Sequence, residues 1–295
     1  MGAIKLAVAD AALTFTWVFF SSTLGAATAV VASRLGLGDD VFPFASLLVA
    51  TVLLFALLFV FDLLGAALDG ASFNPTSNAS LYAAGVGGDD LFSMALRFPA
   101  QVRCDGTAGA VGGALAIVEV VPKQSKHMLA GPLVKVDLQT GAIAEGVLTF
   151  TITVVVLYII LKGPKNTIAR NFLLSLVTVP LVIAGSSYTG PSMNPANAFG
   201  WAYVKKQHDT WEQLYVYWIA PFVGAILAAW VFRVIFPPPV GSQERRGIRK
   251  RRRGLKDLLS LFPLWIRLGK NWFSLSWKKK KQSKGGGRVL FCQFA

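Results

Sequence analysis

The sequence is poor in the residues that soluble enzymes use for chemistry. It has two histidines and two cysteines among 295 residues, and 15% of its residues are charged. His127 and His208 fall in predicted loops, and no group of side chains has metal-ligand spacing. Cys104 and Cys292 are too few for a framework of disulfide bridges. The composition therefore predicts no metal ion, no cofactor and no catalytic residue.

Two enzyme motifs are absent as well. The glycine-rich stretch at 85–88 lacks the lysine and the following serine or threonine that a phosphate-binding loop needs. No serine or cysteine stands with a histidine in the pattern of a nucleophile and its base. Nucleotide hydrolysis and nucleophilic catalysis are therefore both disfavoured.

Long apolar runs are what the sequence does contain. Hydrophobic residues make up 54% of the chain, and a helix needs roughly 20 mostly apolar residues to cross a bilayer. The first run, 6–32, is too long for the apolar segment of a signal peptide and predicts a retained span. We predict an all-α membrane protein with six transmembrane helices, at about 6–33, 42–66, 91–121, 143–162, 170–188 and 213–236.

The net charge of +14 lies entirely at the C-terminal end. Residues 1–240 contain 13 basic and 13 acidic residues, whereas residues 241–295 contain 16 basic residues against two acidic ones. We predict a membrane domain at 1–240 and a basic tail at 241–295, partly disordered or on the membrane surface. The tail and the basic connection at 162–170 should be cytosolic. The tail could contact anionic lipids, but it predicts no specific nucleic-acid binding.

Two sequence blocks occur twice, in the same order. Residues 9–16 match 144–151, and residues 70–76 match 190–196. Each unit contains three predicted spans, an odd number, so the second unit must enter the membrane from the opposite side. The sequence therefore predicts an inverted three-plus-three repeat. Repeat one covers about 5–121 and repeat two about 142–237.

Each copy of the second block carries an Asn-Pro pair. Asparagine is a favoured helix N-cap and proline a favoured first helical residue, so short helices should begin at Asn74 and Asn194. Broken helices at membrane depth are tolerated where protein buries them or water wets them. Two re-entrant half-helices meeting at their N-termini would place positive potential and two amide donors in a pore. The predicted constriction residues are Asn74, Pro75, Thr76, Asn194, Pro195 and Ala196.

These two boxes in an inverted repeat resemble the aquaporin, or major intrinsic protein, family over about residues 5–237. Thr76 in the first box, Pro191 and Asn197 around the second, and the Lys-rich tail are most similar to the plant small basic intrinsic proteins. The resemblance implies a passive channel for water or another small neutral solute, without a cofactor. It also implies a homotetramer in the lipid bilayer. The location that it favours is the endoplasmic reticulum over the plasma membrane.

The resemblance also implies roles for side chains near the boxes. Asp10 and Glu145 are expected to brace the pore loops through hydrogen bonds, Asp10 with the shorter reach. The selectivity filter, which chooses the solutes that pass, is expected to be apolar apart from one side-chain amide. Asparagine stands where the family usually has arginine, and valine stands where it usually has histidine. The predicted filter residues are Leu54, Val182, Pro191 and Asn197.

Other interpretations compete with a channel. A secondary transporter can also use inverted repeats and broken helices, although no acidic residue adjoins Asn74 or Asn194. Asp10 and Glu145 could instead form the pair of an intramembrane aspartyl protease. Members of the family that the chain resembles usually run from Pro-Ala-Gln directly into a small-residue helix, whereas this chain has about six additional residues at 102–107. Within the predicted third span, Arg103 and Asp105 of this insertion would each cost roughly 2.5–3.5 kcal/mol.

Overall fold

The computed structural model describes residues 2–37, 44–102, 108–129 and 131–237. These ranges contain helices and connections but no β-strand. The helices are α1 (Ala3–Ser21), α2 (Leu24–Arg34), α3 (Ala45–Ala67), α4 (Pro75–Ala83), α5 (Leu91–Val102), α6 (Gly109–Val120), α7 (Leu138–Leu161), α8 (Thr167–Gly185), α9 (Pro195–Val204), α10 (Trp211–Leu214) and α11 (Ala220–Ile235). A 3₁₀ turn (Lys123–Met128) precedes α7, and π-helical Tyr215–Ile219 joins α10 to α11.

Five helical stretches in the described ranges are long and apolar enough to cross a membrane. They are Ala3–Arg34, Ala45–Ala67, Leu138–Leu161, Thr167–Gly185 and Trp211–Ile235. These stretches correspond to five of the six predicted spans. The predicted third span, 91–121, is formed by α5 and α6, each of which has 12 residues.

The junction of α5 and α6 is tight. A Cβ atom on Gly109, the first residue of α6, would lie 2.8 Å from the carbonyl oxygens of both Ala100 and Gln101. Gly109 also has a φ of +66°, a conformation that glycine adopts readily. The start of α6 therefore lies against the last turn of α5, so that the two helices together take the place of one span. The predicted insertion residues Arg103 and Asp105 lie outside the described residues.

The predicted first span, 6–33, has an interruption that the apolar pattern did not show. α1 ends at Ser21 and α2 begins at Leu24. At the break, the Ser22 hydroxyl donates to the Val18 carbonyl, and the Thr23 hydroxyl donates to the Phe20 carbonyl at 2.8 Å. Such back-bonding to the preceding turn competes with the helical ladder and often bends a helix.

Within each repeat, the first and last helices cross at a glycine. A Cβ atom on Gly113 of α6 would collide with the backbone oxygen of Phe15 on α1, and one on Gly224 of α11 would collide with that of Gly146 on α7. Small residues allow this approach, and in a bilayer helix association depends on such packing. α9 is held in the same way, since a Cβ atom on Gly200 would lie 2.6 Å from the Ala110 oxygen of α6.

The entry to α7 has an ordinary polar cap. Asp137 accepts hydrogen bonds from the backbone amides of Gln139 and Thr140 at 3.1 and 3.0 Å. Hydrogen bonds from Thr140, first from its side chain and then from its backbone, hold the pKa of Asp137 below its ordinary value. Asp137 therefore fixes the first turn of α7 and lies just outside the apolar stretch Leu138–Leu161.

Candidate pore site

Asn74 and Asn194 begin the two short helices α4 and α9. The Asn74 side-chain oxygen accepts from the Thr76 amide at 3.0 Å. The Asn194 side-chain oxygen accepts from the amides of Ala196 and Asn197 at 3.1 and 3.4 Å. A proline follows each asparagine at the first helical position, where no N–H is needed. Both helices therefore begin where the sequence predicted.

The two asparagines bond across to each other's loops. The Asn74 amide nitrogen donates to the Met193 carbonyl at 3.0 Å, and the Asn194 amide nitrogen donates to the Phe73 carbonyl at 2.9 Å. Each acceptor is the residue immediately before the opposite asparagine, so the N-termini of α4 and α9 meet. A side-chain amide carries two N–H donors. This exchange uses one of the two donors on each asparagine side chain.

Thr76 adds a tie that the second box lacks. Its hydroxyl oxygen lies 2.8 Å from the Asn74 side-chain oxygen and 3.3 Å from the Met193 carbonyl oxygen. One hydroxyl hydrogen serves both acceptors. The alanine at the matching position, Ala196, has no group that can do the same.

Glu145 holds the loop before the second box. One of its carboxylate oxygens accepts from the Ser192 amide at 2.8 Å and the Thr189 hydroxyl at 3.2 Å, and the other accepts from the Met193 amide at 3.1 Å. Met193 has a φ of +50°, which is uncommon for a residue with a side chain. Tyr217 adds a hydrogen bond from its hydroxyl to the Thr189 carbonyl at 2.7 Å. The buried carboxylate is thus placed to fix an unfavourable turn.

Asp10 makes the corresponding contact in repeat one. Its carboxylate accepts from the Ser72 amide at 2.8 Å. Gln101 supports both partners, because its amide nitrogen donates to Asp10 at 3.1 Å and to the Ser72 carbonyl at 3.0 Å. Among the described hydrogen bonds Asp10 reaches one amide of the pore loop, whereas Glu145 reaches two. This difference follows from the shorter aspartate side chain.

Sequence reasoning missed the arginine beside Asp10. The Arg97 guanidinium pairs with Asp10, to which Nη2 donates at 2.9 Å, and with Asp89, to which Nη1 donates at 2.8 Å. The repeat could have identified this arginine, because Arg97 lies 23 residues after Asn74 and Tyr217 lies 23 residues after Asn194. Both side chains donate to a carbonyl in the loop before their box.

An aromatic cluster fixes the residue before the first box. The Phe73 ring stacks on Trp17 with ring centroids 4.1 Å apart and meets Phe61 edge-on at 5.6 Å. Trp17 also meets Phe61 edge-on at 5.2 Å. Offset and edge-to-face pairs of this kind are the favoured arrangements of aromatic rings. The cluster therefore positions the Phe73 carbonyl that accepts from Asn194.

The four predicted filter residues have different surroundings. Pro191 packs on α8, since a Cβ atom on Gly185 would lie 2.7 Å from its ring. The Asn197 amide nitrogen donates to the Ser192 hydroxyl at 3.2 Å, while its side-chain oxygen is buried without a partner among the described residues. Val182 on α8 is 40% exposed, and Leu54 on α3 is 7% exposed. Their filter role stays a prediction.

The described residues contain no cluster of three or more His, Cys, Asp or Glu side chains suited to a metal ion. The His208 ring lies against Tyr203, with ring centroids 4.8 Å apart, and His127 is in the 3₁₀ turn before α7. The groups described at the two helix N-termini are backbone carbonyls and amides, side-chain amides and hydroxyls, two carboxylates and the Arg97 guanidinium.

This arrangement defines a membrane channel built on two half-helices, and comparison with known proteins gives its family. The family model described as Major intrinsic protein matches residues 2–232, and the chain belongs to that family. It is therefore an integral multi-pass membrane protein of a non-enzymatic channel family that passes water or small solutes. The predicted all-α membrane fold is confirmed, and the aspartyl-protease interpretation is excluded.

Curated relatives are plant small basic intrinsic proteins. Aquaporin SIP1-1 of Zea mays is 62% identical over 83% of this chain and 98% of the relative. Aquaporin SIP1-1 of Arabidopsis thaliana is 51% identical over 83% of this chain and 98% of the relative. The X-ray structure of the aquaglyceroporin from Plasmodium falciparum has a TM-score of 0.59 at 19% identity and covers 80% of this chain and 98% of that chain. That likeness supports the fold.

Proposed function

We propose that the chain conducts water passively along its gradient, through a constriction between Asn74 and Asn194. The observation that carries the proposal is the crossed pair of hydrogen bonds to the Met193 and Phe73 carbonyls. It leaves one amide N–H on each asparagine, beside the positive ends of two half-helices. A water oxygen that accepts both is oriented with its own hydrogens turned away, so it relays protons poorly, and the positive potential disfavours cations.

The relatives' names support water as the permeant. The Zea mays and Arabidopsis thaliana relatives are both named aquaporins, and each aligns along nearly its whole length. A secondary transporter is not favoured, because it would usually place ion-coordinating acids at the broken helices. Here the carboxylates of Asp10 and Glu145 are turned to backbone amides and neighbouring side chains.

Stopped-flow light scattering of proteoliposomes tests this function. Vesicles that contain the protein should shrink several times faster than empty vesicles under an osmotic step, with no ion gradient imposed. Parallel steps with small neutral solutes would show which of them also pass. Equal shrinkage rates in loaded and empty vesicles, at verified protein incorporation, would exclude water conduction. A rate that depended on an ion gradient would favour the transporter.

Asn197→Arg is expected to change solute choice. We place Leu54, Val182, Pro191 and Asn197 at the outer filter, where an apolar wall conducts water poorly unless polar groups keep it wet. Arginine would add a fixed positive charge and bulk, so the relative permeabilities of neutral solutes should shift. A solute panel in liposomes measures this. If every relative permeability stayed as in the parent protein, position 197 would not line the pore.

We also propose that Asn197→Arg does not rescue a defect at Asn194, because the two positions limit flow at different depths. Water permeability of the double variant should stay as low as that of the Asn194 variant alone. Recovery of flow in the double variant would show that a single constriction includes both residues.

The assembly proposed is a homotetramer with one pore per subunit, in the membrane of the endoplasmic reticulum. Native mass spectrometry of the solubilised protein measures the subunit number, and a monomer would contradict the proposed tetramer.

Exclusive plasma-membrane signal from a tagged full-length protein would overturn the proposed location in the endoplasmic reticulum. The predicted tail at 241–295, which lies outside the described residues, is proposed to be cytosolic and to contact anionic lipids. Protease protection of the C-terminus would contradict that orientation.

A further inference from the structure

All three nitrogens of the Arg97 guanidinium donate hydrogen bonds inside the protein. Nε and Nη2 form a fork on the Asp10 carboxylate, and Nη1 donates to both oxygens of Asp89 at 2.8 Å. The remaining Nη2 donor reaches the Gly70 carbonyl at 3.2 Å. Arg97 is 4% exposed and Asp10 is fully buried.

The contacts converge on the first pore loop. Asp10 holds the Ser72 amide, two residues before Asn74, while Arg97 itself holds Gly70. Asp69 has a positive φ angle of 55°, which is uncommon for a residue with a side chain, and Gly70 follows it with a φ of 86°, which glycine adopts readily. Left-handed backbone at a residue with a side chain, such as Asp69, persists only where surrounding contacts hold it. Arg97 therefore acts on the loop twice, once directly and once through Asp10.

In repeat two, the described contacts hold the loop before the Asn-Pro box without an ion pair. There Glu145 reaches two loop amides, and the Tyr217 hydroxyl donates to the Thr189 carbonyl. In repeat one, aspartate reaches a single loop amide, and the longer Arg97 occupies the repeat position of Tyr217. Repeat one therefore combines the shorter carboxylate, Asp10, with the longer donor, Arg97. Repeat two combines the longer carboxylate, Glu145, with the shorter donor, Tyr217.

The ion pair also extends to the surface of repeat one. Asp89 lies between α4 and α5, and 18% of its side chain is exposed. It accepts from the Ser93 hydroxyl at 3.0 Å, in the first turn of α5. One side chain, Arg97, therefore ties this connection to the buried pore loop. Arginine suits that task because its planar fork binds carboxylates in a fixed geometry, which lysine does not.

We propose that Arg97 is a positioning residue for the first pore loop, and that Asp89, Arg97 and Asp10 form a latch through which the α4–α5 connection sets the position of Asn74. The latch rests on the proposed function for its effect on water flow, but its effect on the loop does not. Release of the latch should free the loop and let the Asn74 amide leave the Met193 carbonyl.

Hydrogen exchange of the loop tests the latch without reference to the permeant. In Arg97→Tyr, the amides of residues 70–74 should exchange about tenfold faster or more, the equivalent of losing one charge-assisted hydrogen bond. The double variant Asp10→Glu/Arg97→Tyr copies the pair of repeat two and should return exchange to near the parent rate. Asp89→Asn, which weakens the outer end alone, should give a smaller increase.

Arg233→Gln is the matched control. Arg233 donates to the Ala83 carbonyl at 3.2 Å, at the other end of α4, and its loss should leave exchange of the pore loop unchanged. Water flow measured on the same variants should fall in Arg97→Tyr and recover in the double variant. Unchanged exchange in Arg97→Tyr, or faster exchange that the double variant fails to reverse, would overturn the latch. Absence of water flow in the parent protein would refute the proposed function. The hydrogen-exchange result would still test the latch, because it does not depend on the permeant.

Discussion

Asn194→Leu should lower the water permeability of the channel at least tenfold, with little loss of assembled protein. Leucine removes the donor to the Phe73 carbonyl and the acceptor for the Ala196 amide, and it puts an apolar side chain where the two half-helices meet. Losing a helix cap costs about 1 kcal/mol, and an orphaned carbonyl costs a similar amount. The helix crossings that hold the fold are elsewhere, at Gly224 and Gly113.

Asn166→Leu is the control for this substitution. Asn166 caps α8 with the same geometry, accepting from the Ile168 amide at 2.8 Å, but it is solvent-exposed and outside the predicted pore. It should lose a cap and keep its water permeability. Stopped-flow permeability of both variants, normalised to the protein in the vesicles, makes the comparison. Parent-like flow in Asn194→Leu would show that the second box is not at the constriction.

The parts of the site that the sequence predicted are those encoded locally. An Asn-Pro pair caps and starts a helix wherever it stands, so the beginnings of α4 and α9 could be placed from a few residues. The repeat then paired the two boxes and, through the family resemblance, pointed to Glu145 as a brace. The five long apolar stretches were equally visible, because span length follows from bilayer thickness.

The parts that sequence reasoning missed depend on contacts distant along the chain. Arg97 has an ordinary helical context, and nothing local shows that it meets Asp10, 87 residues away. The stacking of Trp17 on Phe73 is of the same kind. The break at Ser22 was missed for another reason, since a hydropathy pattern does not register hydroxyl groups that bond back to the preceding turn.

The repeat holds information that the sequence analysis did not use. Counting 23 residues from each box would have paired Arg97 with Tyr217 and suggested that the two share a task. The repeat therefore predicts where a loop-supporting side chain lies but not which residue type it is, since Arg97 and Tyr217 occupy the matching positions. Site residues in such folds are best sought by register first and residue type second.

Gly224→Ala should destabilise the channel domain by about 1–3 kcal/mol, the usual cost of overpacking. The added methyl group would collide with the Gly146 carbonyl oxygen and lie 3.1 Å from the Phe150 amide nitrogen. Both are backbone atoms of α7, the main packing partner of α11, so relief requires the helices to separate. Helix separation also removes dispersion contacts, which carry much of helix association in a bilayer.

The same substitution should reach the pore, because Gly146 follows Glu145 directly in the chain. Moving this turn of α7 pulls the carboxylate from the Ser192 and Met193 amides that it now holds. We therefore expect Gly224→Ala to lower the thermal unfolding midpoint of the solubilised protein and to reduce water permeability per folded molecule. Gly25→Ala is the control, since a Cβ atom on Gly25 of α2 meets nothing within 4 Å. Equal unfolding midpoints for the two variants would show that the crossing of α7 and α11 accommodates a methyl group. Equal water permeability per folded molecule would show that the Glu145 contacts do not depend on this crossing.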